Sequence, residues 1–288
     1  MIAPARLVAA LLAALTLSGP ASAQSALEAL DQRGKMLGWE GVGRIDHAGG
    51  ICTGTLIAPD LVLTAAHCVD RLGRAPSPGR VVFRAGYHSG RAMAERSVAR
   101  IAIAEGYLGD PNGRIRADMI ARDVALLKLD APVASAEADP FRVAATGTSG
   151  DRVSVVSYGR GREEVLSRQA ECSVIGRFEG GVLGFDCDVT FGSSGAPVFV
   201  REDGRTRILS IVSAGSENAA YGMTLSNTVA ALTATIRQPL PPPRVSSGMR
   251  TVTARGATTW RTVGEDKAEG QTNWRTGPGG AKFVRPGE

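Results

Sequence analysis

Three separated segments of the chain carry the residue types that nucleophilic catalysis by a serine requires. FGSSGAPVF places Ser193 and Ser194 between glycines, LVLTAAHCV places His67 directly after an apolar run, and RDVALLKLD places Asp123 at the start of another. A serine hydroxyl is a poor nucleophile until a neutral imidazole takes its proton, and a carboxylate must orient that imidazole. The three segments together predict a Ser-His-Asp site.

The glycines distinguish the two adjacent serines. Gly192 lies two residues before Ser194, where a backbone N–H can point at an oxyanion and the N–H of Ser194 can act as the second donor. If Ser193 were the nucleophile, Phe191 would occupy the donor position, and its side chain and φ preference would interfere. We therefore expect Ser194 to be the nucleophile, with Gly192 and Ser194 forming the oxyanion hole.

The chain has three histidines, so few residues can act as the base. His47 in RIDHAGG and His88 in GYHSG lie in polar turns, where surface positions are expected. His67 lies between an apolar strand and Cys68, and both would hold its ring in place. Asp123 opens an apolar strand, and a carboxylate buried there is expected to be paired because an unpaired buried charge is costly.

The elements that position these residues are predicted to be short strands. Hairpins are expected around Pro59-Asp60, around 179–181 and around Asp203-Gly204, because apolar runs flank turn residues at each place. Further strand-like runs are RVVFRAGY, DVALLKLD and DRVSVVSYG. About ten short strands separated by turns indicate an all-β barrel or sandwich.

One helix is predicted near the end of this region. Asn227 is suited to be its N-cap, the apolar residues that follow recur at helical spacing, and Pro239 ends it. PLPPPR then marks a domain boundary. Residues 241–288 are rich in Pro, Gly and Arg and poor in aliphatic residues, which predicts a disordered tail. The sharper hypothesis is that the tail contacts an anionic cell surface, with Trp260 and Trp274 as anchors.

The first 23 residues have the pattern of a secretory signal. Arg6 supplies a positive charge, 7–17 is an apolar run too short to cross a bilayer, and Ala21-Ser22-Ala23 is a small-residue cleavage pattern. The sequence therefore predicts an exported protein, secreted or periplasmic, without a transmembrane segment.

The charge balance argues against one class of partner. The 288 residues include 33 Lys and Arg against 28 Asp and Glu, and the net charge of +5 is dispersed rather than gathered in a block. Nucleic-acid binding is therefore not expected. The hydrophobic share of 43% is enough for one large or two small cores.

The four cysteines are read as disulfides because the chain is predicted to be exported. Three connectivities can join Cys52, Cys68, Cys172 and Cys187. Local pairing, Cys52–Cys68 with Cys172–Cys187, is favoured because the hairpin around 179–181 would carry the second pair on neighbouring strands. Each loop would contribute about 3 kcal/mol in the chain-entropy model. No C-x-x-C or His/Cys cluster indicates a metal site.

Taken together, the three segments resemble the chymotrypsin-like (trypsin-fold) serine proteases. CTGTLIAPDLVLTAAHC, DVALLKL and GSSGAP carry the likeness in the order His, Asp, Ser, and it extends over residues 39–238. It implies two six-stranded antiparallel β-barrels, about 37–140 and 141–240, with a C-terminal helix and a site in the cleft between the barrels. It also implies hydrolysis of protein or peptide substrates through an acyl-enzyme. We expect a monomer without cofactor or metal.

The resemblance implies roles for residues beyond the three. Ser213 in IVSAG matches the serine that hydrogen-bonds the family's catalytic carboxylate, although an ordinary strand serine is the alternative. Ser213 to Gly215 matches the edge that pairs with the substrate backbone. Counting back from the nucleophile, Asp188 matches the pocket-floor aspartate of trypsin, while Gly215 and Gly222 match small pocket walls.

Substrate preference stays open at this point. A buried Asp188 would favour Arg or Lys, but a slip of one residue in the strand would turn its side chain away. Glutamyl endopeptidases resemble this chain in the surrounding motif and prefer acidic residues through a pocket histidine, and no histidine lies near Ser213 or Gly222. Small or apolar residues are the remaining alternative.

The chain departs from the animal digestive members of the family just before the nucleophile. Those proteins have an aspartate that pairs with a new N-terminus after zymogen cleavage, and Ser193 stands in its place here. Bacterial secreted relatives, including glutamyl endopeptidases, also lack it, and the chain resembles them more. Residues 24–36 are a candidate propeptide. The alternative function is a protease-like binding module without catalysis.

Overall fold

The computed structural model describes residues 25–70, 78–110, 115–145, 151–216 and 219–239. The predicted signal at 1–23 and the tail at 241–288 lie outside the described residues. The described chain begins with a short strand, β1 (Leu27–Ala29), and a one-turn helix, α1 (Arg33–Met36). Leu30 and Met36 are buried in the core, so the candidate propeptide contributes to packing.

Six strands from the first half of the chain close into an antiparallel barrel in the order β2-β3-β4-β7-β6-β5. Their bounds are β2 (Val42–His47), β3 (Gly50–Ala58), β4 (Leu61–Thr64), β5 (Val82–Ala85), β6 (Ala94–Ile103) and β7 (Ala125–Leu129). Apolar side chains such as Ile45, Leu56 and Phe83 fill the barrel. The hairpin predicted around Pro59-Asp60 joins β3 to β4.

Seven strands from the second half form an antiparallel sheet in the order β12-β11-β8-β9-β10-β14-β13, and β1 joins it by pairing with β9. Their bounds are β8 (Arg152–Ser157), β9 (Ser167–Phe178), β10 (Val182–Phe185), β11 (Pro197–Glu202), β12 (Arg205–Ile211), β13 (Ala214–Gly215) and β14 (Ala220–Met223). The predicted hairpins around 179–181 and Asp203-Gly204 are present.

The second sheet differs from the expected closed six-stranded barrel. It is an open half-barrel of eight strands, and no ladder joins β12 to β14 among the described residues. Instead, the Ser210 hydroxyl donates to the Met223 carbonyl (2.8 Å) and accepts the Met223 N–H (2.9 Å). A side chain therefore supplies the hydrogen bonds where no strand ladder joins β12 to β14. The barrel and the sheet together confirm the all-β fold class.

The C-terminal helix, α2 (Ser226–Arg237), packs against β6 and β7 of the first barrel. It buries Val229, Leu232 and Ile236, which recur at helical spacing. It begins two residues earlier than an N-cap at Asn227 predicts, and Leu225 occupies the N-cap position. No helix of the described residues is long and apolar enough to cross a membrane.

The loop between β8 and β9 joins the two halves of the molecule. Glu164 in this loop accepts hydrogen bonds from Tyr87 Oη (2.7 Å) and Arg44 Nη1 (2.8 Å), which both belong to the first half. Tyr158 Oη in turn donates to the Tyr87 carbonyl at 2.8 Å. The loop therefore fixes the first barrel against the second sheet.

Both predicted local disulfides, Cys52–Cys68 and Cys172–Cys187, are present. The first joins β3 to Cys68, the residue that follows His67. The second joins β9 to Cys187, which lies two residues after the end of β10.

Candidate active site

His67 lies on a 3₁₀ turn, Ala66–Cys68, directly after β4. The turn is fixed from behind by the disulfide to Cys52 on β3. Ring atom Nδ1 lies 2.7 Å from Asp123 Oδ2, and the backbone N–H of His67 donates to Asp123 Oδ1 at 2.8 Å. A proton on Nδ1 satisfies the carboxylate and leaves Nε2 as an acceptor. Nε2 is buried and has no hydrogen-bond partner within the described part of the chain.

Asp123 is fully buried at the end of the 3₁₀ helix Ala117–Arg122, directly before β7. Its carboxylate accepts from the His67 backbone, contacts the His67 ring and accepts from Ser213 Oγ at 2.5 Å. A buried carboxylate is costly unless donors surround it. The three contacts offset that cost, and the third agrees with the role that the resemblance implies for Ser213.

Ser194 is held by two consecutive turns that share Ser193. Ser193 N–H donates to the Thr190 carbonyl (2.9 Å), and Ala196 N–H donates to the Ser193 carbonyl (2.9 Å). The third residue of each turn, Gly192 and Gly195 respectively, has a positive φ of +97° or +77°. A positive φ at the third position of a turn is characteristic of type II turns and favours glycine there.

The backbone around Ser194 is anchored on both sides. The Ser194 carbonyl accepts the N–H of Thr53 on β3 at 2.9 Å, and Gly195 N–H donates to Val212 at 2.7 Å. Thr53 follows Cys52, whose disulfide partner Cys68 follows His67. The serine turn and the histidine turn are therefore fixed to the same end of β3.

The two candidate oxyanion donors are available for a substrate. Neither Gly192 N–H nor Ser194 N–H donates a hydrogen bond to any other described residue, whereas the Ser193 N–H between them is used by the turn. Gly192 and His67 border a common cavity of about 120 Å³, to which Cys52, Phe191 and Arg160 also contribute. The Gly192 donor and the predicted base therefore lie at one cleft.

Ser193 has a different environment from Ser194, although the two are neighbours in the chain. Its hydroxyl is fully buried and lies 3.1 Å from the Tyr158 carbonyl and 3.2 Å from Ser157 Oγ. It also accepts from Arg162 Nη2 at 3.2 Å and from the Thr190 N–H at 3.3 Å. These partners occupy the hydroxyl completely, which argues against Ser193 as the nucleophile.

The predicted substrate edge is a short strand. Ser213 N–H donates to the Tyr221 carbonyl at 2.8 Å, and Gly215 pairs with Ala220 across β13 and β14. β13 lies at the end of the sheet path, so its other edge is unpaired among the described residues. An extended peptide can pair there.

Two of the predicted pocket residues differ from expectation. Asp188 is exposed rather than buried, and its backbone N–H donates to Gln169 Oε1 at 2.7 Å. At Gly222, a Cβ would lie 2.1 Å from the Ile211 carbonyl oxygen. The glycine therefore allows β14 to pack closely against β12, which is a different role from the predicted small wall of a substrate pocket. Ala220 is the residue that faces Gly215 across the strands.

The other histidines and the cysteines do not indicate a metal centre in the described residues. His47 and His88 are half-buried rather than exposed, and His47 Nδ1 accepts the Gly49 N–H at 3.2 Å. The clusters with metal-ligand spacing in this part of the chain are Cys52, His67 and Cys68, and Cys172, Asp186 and Cys187. Their cysteines are disulfide-bonded and cannot ligate as thiolates.

The match to a known protein family covers the three segments that carry His67, Asp123 and Ser194. The family described as Trypsin-like peptidase domain matches residues 52–206, which is more than half of the chain and includes His67, Asp123 and Ser194. The chain belongs to the trypsin-like peptidase domain family. Membership supports a serine-type endopeptidase.

One curated relative of this trypsin-like chain is the modular serine protease of Drosophila melanogaster, which is 40% identical over 89 residues. The alignment takes in 28% of this chain and 13% of the relative, so the chain spans only a small part of that protein's length.

Solved structures extend the likeness across most of this trypsin-like chain. A Glu endopeptidase has a TM-score of 0.55 at 20% identity, covering 69% of this chain and 90% of that one. Protease Anisep from Arthrobacter nicotinovorans has a TM-score of 0.57 at 17% identity, covering 73% and 98%. At these identities the likeness establishes the fold, and the predicted chymotrypsin-like fold is confirmed.

Proposed function

We propose that this chain is an exported serine endopeptidase in which Ser194 is the nucleophile, His67 the base and Asp123 the orienting carboxylate. The supporting observation is the contact of Asp123 with the His67 backbone, the His67 ring and the Ser213 hydroxyl. These contacts favour the tautomer with a proton on Nδ1 and a basic Nε2, which is the form that can activate a serine.

The proposed reaction proceeds through an acyl-enzyme. Ser194 Oγ attacks the carbonyl carbon of the scissile bond while His67 Nε2 takes the hydroxyl proton, and the N–H groups of Gly192 and Ser194 stabilise the oxyanion. The protonated His67 then donates its proton to the leaving amine, and the acyl group stays on Ser194. A water molecule, activated by the same nitrogen, releases the acid product and restores the hydroxyl.

A fluorophosphonate probe tests this assignment directly, because it labels an activated serine. We expect the wild-type protein to be labelled and the Ser194→Ala variant to lose labelling, while Ser135→Ala, at an exposed serine, keeps it. Labelling that persists in Ser194→Ala would assign the nucleophile elsewhere. Absence of labelling in folded wild-type protein would favour the protease-like binding module.

The preference for Arg or Lys substrates stays a prediction that rests on Asp188. Its support is reduced because the side chain is exposed and because its charge acts on the nearby Arg162 guanidinium. A peptide library with Arg, Lys, Glu and Ala before the cleaved bond measures the preference. If Asp188 sets it, Asp188→Asn should reduce the Arg-to-Ala ratio of kcat/KM at least tenfold. An unchanged ratio would remove Asp188 from the pocket.

Export is proposed from the N-terminal pattern alone. Expression of the full chain in a bacterial host, followed by N-terminal sequencing of the extracytoplasmic protein, tests it. We expect Gln24 as the first residue. Retention of the full-length chain in the cytoplasm would contradict export without bearing on the catalytic assignment.

A further inference from the structure

We propose that Arg162 is a positioning residue that holds the oxyanion turn in its productive conformation. This inference rests on the proposed function, because it assigns a role in the same reaction. Arg162 touches neither Ser194 nor His67 in any hydrogen bond of the described residues, so it would act through Ser193.

The guanidinium of Arg162 reaches across the β8–β9 loop to the serine turn. Nη2 donates to Ser193 Oγ at 3.2 Å and to Ser157 Oγ at 2.9 Å, and Nη1 donates to the Ser157 carbonyl. The backbone N–H of Arg162 also donates to the Gly159 carbonyl at 2.8 Å. Arg162 therefore connects the end of β8 to the residue that precedes the nucleophile.

The position of Ser193 makes this contact consequential for catalysis. Ser193 is the last residue of the turn that orients Gly192 N–H and the first residue of the turn that orients Ser194 N–H. Any displacement of Ser193 would therefore change both oxyanion donors together. Its hydroxyl can accept from Arg162 and from the Thr190 N–H while donating to the Tyr158 carbonyl, so the contacts are mutually compatible.

The surroundings of Arg162 indicate that the contact is built into the fold. Burial lowers the pKa of the Arg162 guanidinium, although the charges of Asp188 and Glu163 partly oppose this effect. A Cβ at Gly159 would lie 2.8 Å from Nη2, so a glycine provides the space for the guanidinium. A partly desolvated cation is costly to retain, and the hydrogen bonds to Ser157 and Ser193 offset that cost.

The effect of replacing Arg162 on the kinetic constants can be predicted because the oxyanion forms only in the transition state and not in the bound substrate. Donors that act only in the transition state affect kcat, whereas KM for a small peptide changes little. Loss of one oxyanion donor costs about 10²–10³ in kcat. We expect Arg162→Met, which retains an unbranched apolar side chain, to reduce kcat by about 10² or more per titrated active site. The affinity for a peptidyl boronate, whose adduct carries the oxyanion, should fall in parallel.

A matched control and a second variant complete the experiment. Arg152→Ala removes an exposed arginine that pairs with Glu171 on the surface and should leave all parameters unchanged. Ser193→Ala removes the acceptor of the Arg162 hydrogen bond and should reproduce the kcat loss. The effects of Arg162→Met and Ser193→Ala should be less than additive in the double variant.

The outcomes separate this inference from the proposed function. Wild-type protein that does not react with the fluorophosphonate would contradict the proposed function itself. Active wild-type protein whose folded Arg162→Met variant keeps its kcat and boronate affinity, with only a lower urea midpoint, would reduce Arg162 to a structural role. If Arg162→Met does not fold, the folded Ser193→Ala variant decides, and an unchanged kcat there overturns the proposal.

Discussion

Asp123 contacts His67 at two separate points, the backbone N–H through Oδ1 (2.8 Å) and the ring Nδ1 through Oδ2 (2.7 Å). The first contact fixes the backbone position of His67, and the second fixes the rotation and the tautomer of its ring. Two contacts from one carboxylate restrict the position and orientation of the imidazole more than either contact alone. This relation connects the end of the 3₁₀ helix that precedes β7 to the turn that follows β4.

Replacing Asp123 with Asn should separate these two contributions. The amide oxygen can still accept the backbone N–H, but the amide NH₂ would donate to Nδ1 and place the ring proton on Nε2. We expect kcat to fall about 10⁴-fold, as the tautomer argument predicts for such triads, with little change in the urea midpoint. Steady-state kinetics with a peptide substrate measure it. Near-full activity in Asp123→Asn would remove Asp123 from the triad.

Gly195 should not tolerate a side chain. Its φ is +77°, and a Cβ would lie 2.2 Å from Thr64 Oγ1 and 2.4 Å from the Thr53 carbonyl oxygen. Gly204 is a matched control, because its φ of +73° is similar and a Cβ there meets nothing within 4 Å. We expect Gly204→Ala to cost about 1 kcal/mol of unfolding free energy from backbone strain. Gly195→Ala should cost several times more and abolish turnover, because Ser194 must move.

Urea unfolding and activity of the two glycine variants test this prediction together. Equal destabilisation in both would show that the positive φ alone matters and that the barrel tolerates the extra methyl group. Retained turnover in Gly195→Ala would contradict the placement of Ser194 by the second turn.

The two disulfides should differ in their effect on catalysis but not on stability. They join residues 16 and 15 positions apart, so the chain-entropy model assigns each about 3 kcal/mol. Replacing Cys52 and Cys68 with Ala frees the turn that carries His67, and we expect kcat per folded molecule to fall. Replacing Cys172 and Cys187 with Ala should lower the urea midpoint similarly and leave kcat much less affected. Equal kcat losses would contradict a positioning role for the first disulfide.

Glu164 should stabilise the fold in a pH-dependent way. Its hydrogen bond from Tyr87, and next the hydrogen bond from Arg44, lower the pKa of its carboxyl below the ordinary value. A lowered folded-state pKa contributes stability that is fully present above the unfolded pKa of about 4.3. That contribution is lost as the pH falls through the folded-state pKa.

The stability difference between wild type and Glu164→Gln should therefore be present at pH 7 and diminish below about pH 4. Urea midpoints across this range measure it. Glu171→Gln, at an exposed carboxylate whose ion pair is with the surface residue Arg152, is the control and should show a smaller difference at pH 7. A difference that persists unchanged at pH 3 would exclude the carboxylate charge as its source.

Local patterns predicted much of this fold. The three hairpins are fixed by turn residues between apolar runs, and the local disulfide pairing follows from one of them. The order of His67, Asp123 and Ser194 carried the resemblance to the serine proteases, and the family match over residues 52–206 includes all three. These features depend on short stretches of sequence and on residue types with strong conformational preferences.

Features that depend on distant contacts were not predictable. The residues Leu27–Ala29 have no strand pattern of their own, and they become a strand only because β9 offers an open edge. The role of Arg162 depends on how the β8–β9 loop folds over Ser193, 31 residues later. Gly222 was expected to form a pocket wall because it matches a small wall position in the family that the chain resembles, and no sequence pattern indicates that β12 approaches it. Tertiary packing decides each of these.

The pairing of β1 with β9 also sets an order of events during synthesis. Ser25 N–H donates to the Glu171 carbonyl, and these residues lie 146 positions apart in sequence. At about 5–20 residues per second, the ribosome needs roughly 7 to 30 s to supply the partner. Strand β1 is therefore synthesised long before the segment of β9 with which it pairs. A chain whose synthesis stops before β9 has no partner strand for β1.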